Sequence, residues 1–280
     1  MIDKKTIIKF IIFLGIIGGA FVTFRYTSLS QYSKKDTLLS ILTQLRAHWW
    51  GPIGSILFMV LDVFNKYAQE YDEWFETHNW VYNSELEAVR KLIPETGTGI
   101  EIGVGTGRFS IPFGIKVGIE HTNAMAEISR NRGICVIEAK AEALPFKDNS
   151  FGFALMVTTL CFLENPLKAL QEIRRILKPA GKVIIGMLDE DSPLGKLYEE
   201  KRKKNKFYRD ARFYSVKQVL DWLKKFAFKD LQIVQTIFRN PDKIQSLEPI
   251  EEGFGKGLFV VICNYSAYFQ IQPLLANKIR

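Results

Sequence analysis

The residues that most often carry polar chemistry are scarce in this chain. Among 280 residues there are three cysteines and three histidines. Cys135, Cys161 and Cys263 lie far apart with no paired spacing, which argues against a disulfide framework and a zinc site and fits a reducing compartment. His48, His78 and His121 fall in three separate segments and offer little as general bases, so no catalytic residue is assigned and no metal is expected. The glycine-rich stretch "TGIEIGVGTGRFS" lacks two further features. After its last glycine come Arg108 and Phe109 rather than lysine and a hydroxyl residue, which disfavours ATP and GTP. Its second gap is one residue, Gly105-Thr-Gly107, whereas a dinucleotide turn needs two. Basic residues interleave with aromatics only in "KRKKNKFYRDARFYS", so no nucleic-acid partner is expected.

Apolar residues, by contrast, are abundant. At 47% of the chain they can bury one full-sized domain and leave residues over. The surplus is at the front, where Ile7 to Phe24 is apolar for the length of a bilayer crossing with only Lys9 inside. The run predicts a transmembrane helix over 7–24. A secretory signal is the competing reading, since Lys4 and Lys5 precede the run and Gly18-Gly19-Ala20 lies near its end. A second apolar segment, 49–63, is shorter and broken by Gly51-Pro52 and Gly54, so it is expected to be re-entrant or spanning. The stretch "FRYTSLSQYSKKDTLLSILTQLRAHWWGPIGSILF" resembles the start of DedA-like (SNARE-associated) membrane proteins. Basic residues beside the run favour anionic headgroups, although they flank it on both sides and leave its orientation open. A membrane anchor over 1–62 and a second domain over 63–280 follow.

In that second domain, Leu86, Val89, Leu92 and Ile93 mark one face of an amphipathic helix ended by Pro94. Beyond it strand-like and helix-like segments alternate. The strands expected are Gly99 to Ile102, Lys116 to Ile119, Cys135 to Glu138, Phe153 to Val157 and Lys182 to Met187, short and apolar as doubly covered strands are. Asn165 and Pro166 open a helix striped by Leu167, Leu170, Ile173 and Leu177, which "KPAG" stops. Leu231 to Phe238 and Leu258 to Cys263 complete the pattern. It predicts an α/β fold, a mostly parallel sheet with an antiparallel edge.

A glycine turn after the first strand of such a sheet lies where ligands bind. Glu120 closes the second strand, nineteen positions past Glu101, and its two oxygens suit two ribose hydroxyls. Turn and acid together favour a nucleoside ligand.

"EIGVGTGRFS", "VGIEHTNAM", "AEALPFKDNSF" and "CFLENPLKALQEIRRILKPAGKVIIG" resemble, in order, the Rossmann-like class I S-adenosylmethionine-dependent methyltransferases of the type 11 (UbiE-like) branch. The resemblance covers residues 64–265. It implies S-adenosyl-L-methionine as cofactor, with Glu101, Gly103, Gly105 and Gly107 on its methionine part and Glu120 on the ribose. It also implies Met125 against the adenine, Ala141 and Glu142 along its edge, and Val157 and Thr158 beneath the methyl group. Lys140 stands where such proteins often carry Asp, so the adenine amino group meets backbone there or is held less tightly. Acceptor contacts are expected from Tyr67, Tyr71, Cys161, Phe162, Tyr208 and Arg212. The acceptor is expected to be a small molecule or a lipid, and the catalytic domain to face the cytoplasm, where the methyl donor is made. Two alternatives stay open at this level: a nicotinamide-dependent enzyme, and a membrane protein whose methyltransferase-like domain only binds its ligand.

Overall fold

The computed structural model describes residues 63–264. The expected helix over 7–24, nearly all of the 49–63 segment and the DedA-like stretch lie outside them. Among the described residues no helix is long and apolar enough to cross a membrane.

Three helices lead in: α1 (Val63–Lys66), α2 (Ala68–Thr77) and α3 (Asn79–Arg90). The strands follow as β1 (Gly99–Ile102), β2 (Val117–Ile119), β3 (Cys135–Ile137), β4 (Phe151–Val157), β5 (Leu177–Leu188), β6 (Leu231–Thr236), β7 (Glu251–Glu252) and β8 (Phe259–Asn264). Between them run α4 (Asn123–Asn131), α5 (Pro166–Ile176), α6 (Pro193–Lys201) and α7 (Val216–Lys225). The strands form one eight-stranded sheet in the order β3-β2-β1-β4-β5-β8-β6-β7. β1 to β5 pair in parallel, and β8, β6 and β7 add an antiparallel edge.

The continuous apolar strands make sense once both faces are covered. Ala154 and Met156 of β4 point into a core closed by Leu170 and Ile173 of α5 and by Val219 and Leu223 of α7. Phe153, Leu155 and Val157 point the other way, into a core closed by Val81, Leu86 and Val89 of α3. Each fully buried side chain of this size contributes about 1.5–3 kcal/mol. Because the order reverses on either side of β1, a crevice opens at the carboxyl ends of β1 and β4.

Two boundaries differ from the sequence reading. α3 ends at Arg90, and Leu92 and Ile93 follow it in a turn whose N–H groups bond to the Val89 carbonyl. α5 begins as expected, with Asn165 Oδ1 accepting from the Lys168 N–H at 3.0 Å and Pro166 in the first turn. Its far end does not break into a loop: β5 starts at Leu177 and carries Lys178-Pro179-Ala180-Gly181 within it. Leu177 pairs with Phe151 across a bulge, and the Asn264 side chain of β8 bonds to Val183 N–H and Gly181 C=O, which satisfies the backbone of the irregular stretch.

Candidate functional site

The turn after β1 is held from both sides. Gly103 and Val104 N–H both donate to the Ile119 carbonyl of β2, at 2.8 and 2.9 Å. Gly103, Gly105 and Gly107 have φ of +73°, +54° and +86°, which L side chains rarely adopt. They are not equivalent. A Cβ on Gly103 would lie 2.4 Å from the Thr159 side chain, and one on Gly107 2.5 Å from Ile134, so these two are fixed by packing. A Cβ on Gly105 meets nothing within 4 Å. That open space is where a ligand would lie against main chain.

Two acids border it. Glu120, at the end of β2, is buried and accepts from Gly105 N–H through Oε2 (3.0 Å) and from His121 and Thr122 N–H through Oε1 (2.9 and 2.8 Å). Glu101 in β1 accepts from the Ser110 hydroxyl at 2.5 Å. Burial pushes its proton affinity up to about 8, helped by the nearby Glu120 charge and opposed by the Ser110 hydrogen bond.

A cavity brings Glu101, Gly103, Gly105, Val157 and Thr158 together with Tyr71 from α2. Tyr71 is half-buried there, and desolvation drives its pKa far up, opposed by a hydrogen bond with the Thr158 side chain. Thr158 itself has φ +47°, a strained turn out of β4 held by its N–H to Gly186 C=O at 2.8 Å. Met125 of α4 and Ala141 are buried nearby in sequence order but do not line this cavity. Glu142 accepts from the Asn165 N–H at 3.1 Å, at the start of α5. Lys140 Nζ donates to Glu164 at 2.9 Å.

The expected acceptor residues form a second group. Cys161 donates to Thr158 C=O at 3.4 Å, and burial pushes its thiol up to about 12. The Cys161 carbonyl accepts from Arg212 N–H at 2.7 Å, while the Arg212 guanidinium lies 5.4 Å from the Tyr214 ring centre. Phe162 stacks on Tyr208 with centroids 6.0 Å apart, and Phe64 meets both Phe162 (5.1 Å) and Tyr71 (5.6 Å). Tyr67 stands apart, its ring under the Lys66 and Lys206 ammonium groups.

Sequence reasoning passed over the contact that seats α2. Asp72 accepts from Arg108 at 2.8 and 2.7 Å and from Arg132 at 2.7 Å through both oxygens. Burial alone would raise this carboxyl, but the hydrogen bonds from Arg132 and Arg108 outweigh it and hold the group well below the usual carboxylate range. Arg108 belongs to the glycine turn and Arg132 caps α4, so one buried acid ties the leading helices to both. The residue after Gly107 was visible as a non-lysine; its partner, 36 positions earlier, was not. Asn65 of α1 adds to the cover by accepting from Ala124 N–H at 3.2 Å.

A methyltransferase-domain family model matches residues 100–185. An uncharacterized protein of Methanocaldococcus jannaschii is 52% identical over 202 residues, 72% of this chain and 98% of its own. A crystal structure from Thermotoga maritima is described as a S-adenosylmethionine (SAM)-dependent methyltransferase, possible histamine N-methyltransferase. It is 48% identical with a TM-score of 0.69, over 71% of this chain and 96% of that one. This chain belongs to the SAM-dependent methyltransferases. A ubiquinone/menaquinone biosynthesis C-methyltransferase UbiE of Idiomarina loihiensis is 32% identical over 149 residues, 45% of this chain and 58% of that protein. Membership sets aside the nicotinamide alternative and agrees with the one-residue glycine gap.

The methyltransferase's turn suggests a direct test. Gly105→Val is expected to weaken S-adenosylhomocysteine binding at least tenfold, because the side chain enters the open space, at a stability cost of about 1–3 kcal/mol for a branched residue at positive φ. Titration calorimetry and a thermal melt separate the two effects. Wild-type affinity in the variant would move the ligand off the turn.

Proposed function

We propose that this methyltransferase acts on a small-molecule or lipidic acceptor, with residues 1–62 holding it at a membrane and the catalytic domain, 63–280, on the cytoplasmic side. The observation that supports the acceptor class is the cavity beside Thr158, lined by Tyr71 and Phe75 and bordered through Tyr71 by the packed rings of Phe64, Phe162 and Tyr208, which suits a compact ligand better than a nucleic-acid strand or a protein segment. Two relatives point the same way, one a possible histamine N-methyltransferase and the other a ubiquinone/menaquinone biosynthesis C-methyltransferase. Membrane seating is supported by the apolar run of 7–24 and its basic flanks.

Chemically the site needs little. The donor supplies an activated methyl on a sulfonium, and in-line displacement gains most from holding the nucleophile close to it. Glu120 and the turn amides would hold the ribose and methionine parts, and Tyr71 with α2 excludes water.

Labelled S-adenosylmethionine added to the full chain and a cell extract tests the acceptor class. Label is expected in the small-molecule or lipid fraction, and label confined to RNA or protein would overturn it. Carbonate washing of membranes, then protease on intact cells, tests the seat: the chain should stay in the pellet and resist digestion.

A further inference from the structure

The fold carries a concentration of basic charge that the glycine turn does not use. Between Lys196 and Arg212 there are eight lysines and arginines against three acids. Two of those acids are answered at once, Glu199 by Arg202 and Asp210 by Arg209. Lys201, Lys203 and Lys204 are exposed, and among the described residues no ion pair reaches them. Lys201 ends α6, where the helix dipole favours a cation. That reason does not extend to Lys203 and Lys204, which stand in the 3₁₀ turn beyond it. One turn before Lys201, on the same face of α6, comes Leu197, 45% exposed. A lone exposed leucine is ordinary on a protein surface. What sets this one apart is the lysines beside it, the combination an interfacial segment presents to a bilayer.

Its place in the fold decides what this stretch can face. α6 follows the carboxyl end of β5, the same end of the sheet as the crevice beside β1 and β4. Lys206 pairs with Glu70 of α2 and lies 4.4 Å from the Tyr67 ring centre, and Lys66 lies 5.0 Å from the same ring. Phe207 stacks on Phe64 of α1 at 5.8 Å and meets Tyr71 edge-on at 5.5 Å. The basic stretch is thus fastened to the helices by which the chain enters the fold, directly after residue 62. Tyr71 in turn lines the cavity with Gly105 and Thr158, so the basic surface adjoins that cavity's wall.

We propose that Lys201, Lys203 and Lys204, with Leu197 beside them, form a second membrane contact, a patch on the methyltransferase domain itself that rests on anionic lipid headgroups and holds the α1–α2 side of the domain against the bilayer. The inference rests on the membrane seat read from residues 1–62. A tether that ends at Val63 keeps the patch near the bilayer, within the short range over which the negative surface potential acts. A nucleic-acid strand fits less well. Three lysines at one helix end make a patch and not a groove that tracks a backbone, and the rings beside them, Tyr67 and Phe207, are engaged with lysines and with α1 rather than open for bases to stack on.

The test uses the full chain reconstituted with vesicles of phosphatidylcholine, alone or mixed with phosphatidylglycerol. Flotation comes first, and a chain that fails to float with phosphatidylcholine vesicles overturns the membrane seat and this inference together. On the floated chain a water-soluble acetylating reagent reads each lysine by mass spectrometry. Lys201, Lys203 and Lys204 are scored against Lys116, Lys147 and Lys178, which are exposed at or just before the amino ends of β2, β4 and β5, the far end of the sheet. Relative acetylation of the three patch lysines should fall at least threefold when phosphatidylglycerol is present. Sodium chloride at about 1 M, where charges are screened beyond about 3 Å, should restore it. Equal acetylation in both kinds of vesicle, by a chain that floats with both, overturns the patch and leaves the anchor standing. Protection that persists in the salt overturns its electrostatic basis. Poly(U) added to phosphatidylcholine vesicles should protect the three lysines less than phosphatidylglycerol does, and equal or stronger protection would give the surface to nucleic acid instead of lipid. Every comparison is made on the wild-type chain.

Discussion

Asp72→Ala is expected to lower the unfolding free energy by about 3 kcal/mol, because it leaves Arg108 and Arg132 partly buried beside an empty site. Removing one partner of a buried ion pair costs about 3–5 kcal/mol, and the arginines' side chains are 15% and 29% exposed, which places the effect at the lower end. Asp72→Asn keeps the shape and one acceptor oxygen and should cost less. Because Asp72 connects α2 to the glycine turn and to the end of α4, the same change should also loosen S-adenosylhomocysteine binding without touching the ligand. Denaturant unfolding of the full chain and calorimetry read the two effects. Wild-type stability in Asp72→Ala would show that the arginines find other partners. The carboxyl's depressed pKa gives a second signature: its stabilisation is complete above the unfolded value near 3.8 and is lost as pH falls below it, so Asp72→Ala should flatten the acid limb of the stability profile.

The alkaline side is set by the opposite kind of group. Glu85 and Glu101 each hold their proton up to about 8, against 4.5 for an ordinary glutamate. The folded form therefore binds more protons than the unfolded one between these values, and stability falls as pH rises from about 4.5 to 8. For Glu85, 7% exposed and with no hydrogen bond or ion pair to its carboxyl among the described residues, the loss across that window is about 3–5 kcal/mol. Glu85→Gln has no proton to lose. It should match the wild type near pH 5 and be more stable by several kcal/mol at pH 9, in unfolding measured at both. Equal slopes for the two proteins would show that the carboxyl ionises freely in the fold.

The sheet was legible because its strands are buried on both faces. Ile100, Leu155 and Ile184 sit in apolar runs too short for helices and spaced by glycines and a proline, so local pattern alone placed five parallel strands and the two long antiparallel ones within a few residues. The glycine turn and the acid beside it were legible for a similar reason. Gly103, Gly105, Gly107 and Glu120 are constrained by backbone conformation and by strand ends, which are properties of short stretches. β7, with only two residues, and the bulged start of β5 left no such pattern, since both depend on partners more than 80 residues away or on a neighbouring strand.

What tertiary structure decided is which charged side chains the leading helices bury. Asp72 in sequence is one acid among several on an amphipathic helix, and nothing local names its partners; only the packing of α2 against the glycine turn puts two guanidiniums on it. Glu85 left a trace, since it falls between Val81 and Val89 at helical spacing, yet a charged residue at such a position reads as an interruption until the fold shows it buried. Sequence determined the elements and the glycine turn because local propensity and backbone geometry act over a few residues. The electrostatics of Asp72 came from contacts between elements far apart in the chain, whose partners are chosen by packing.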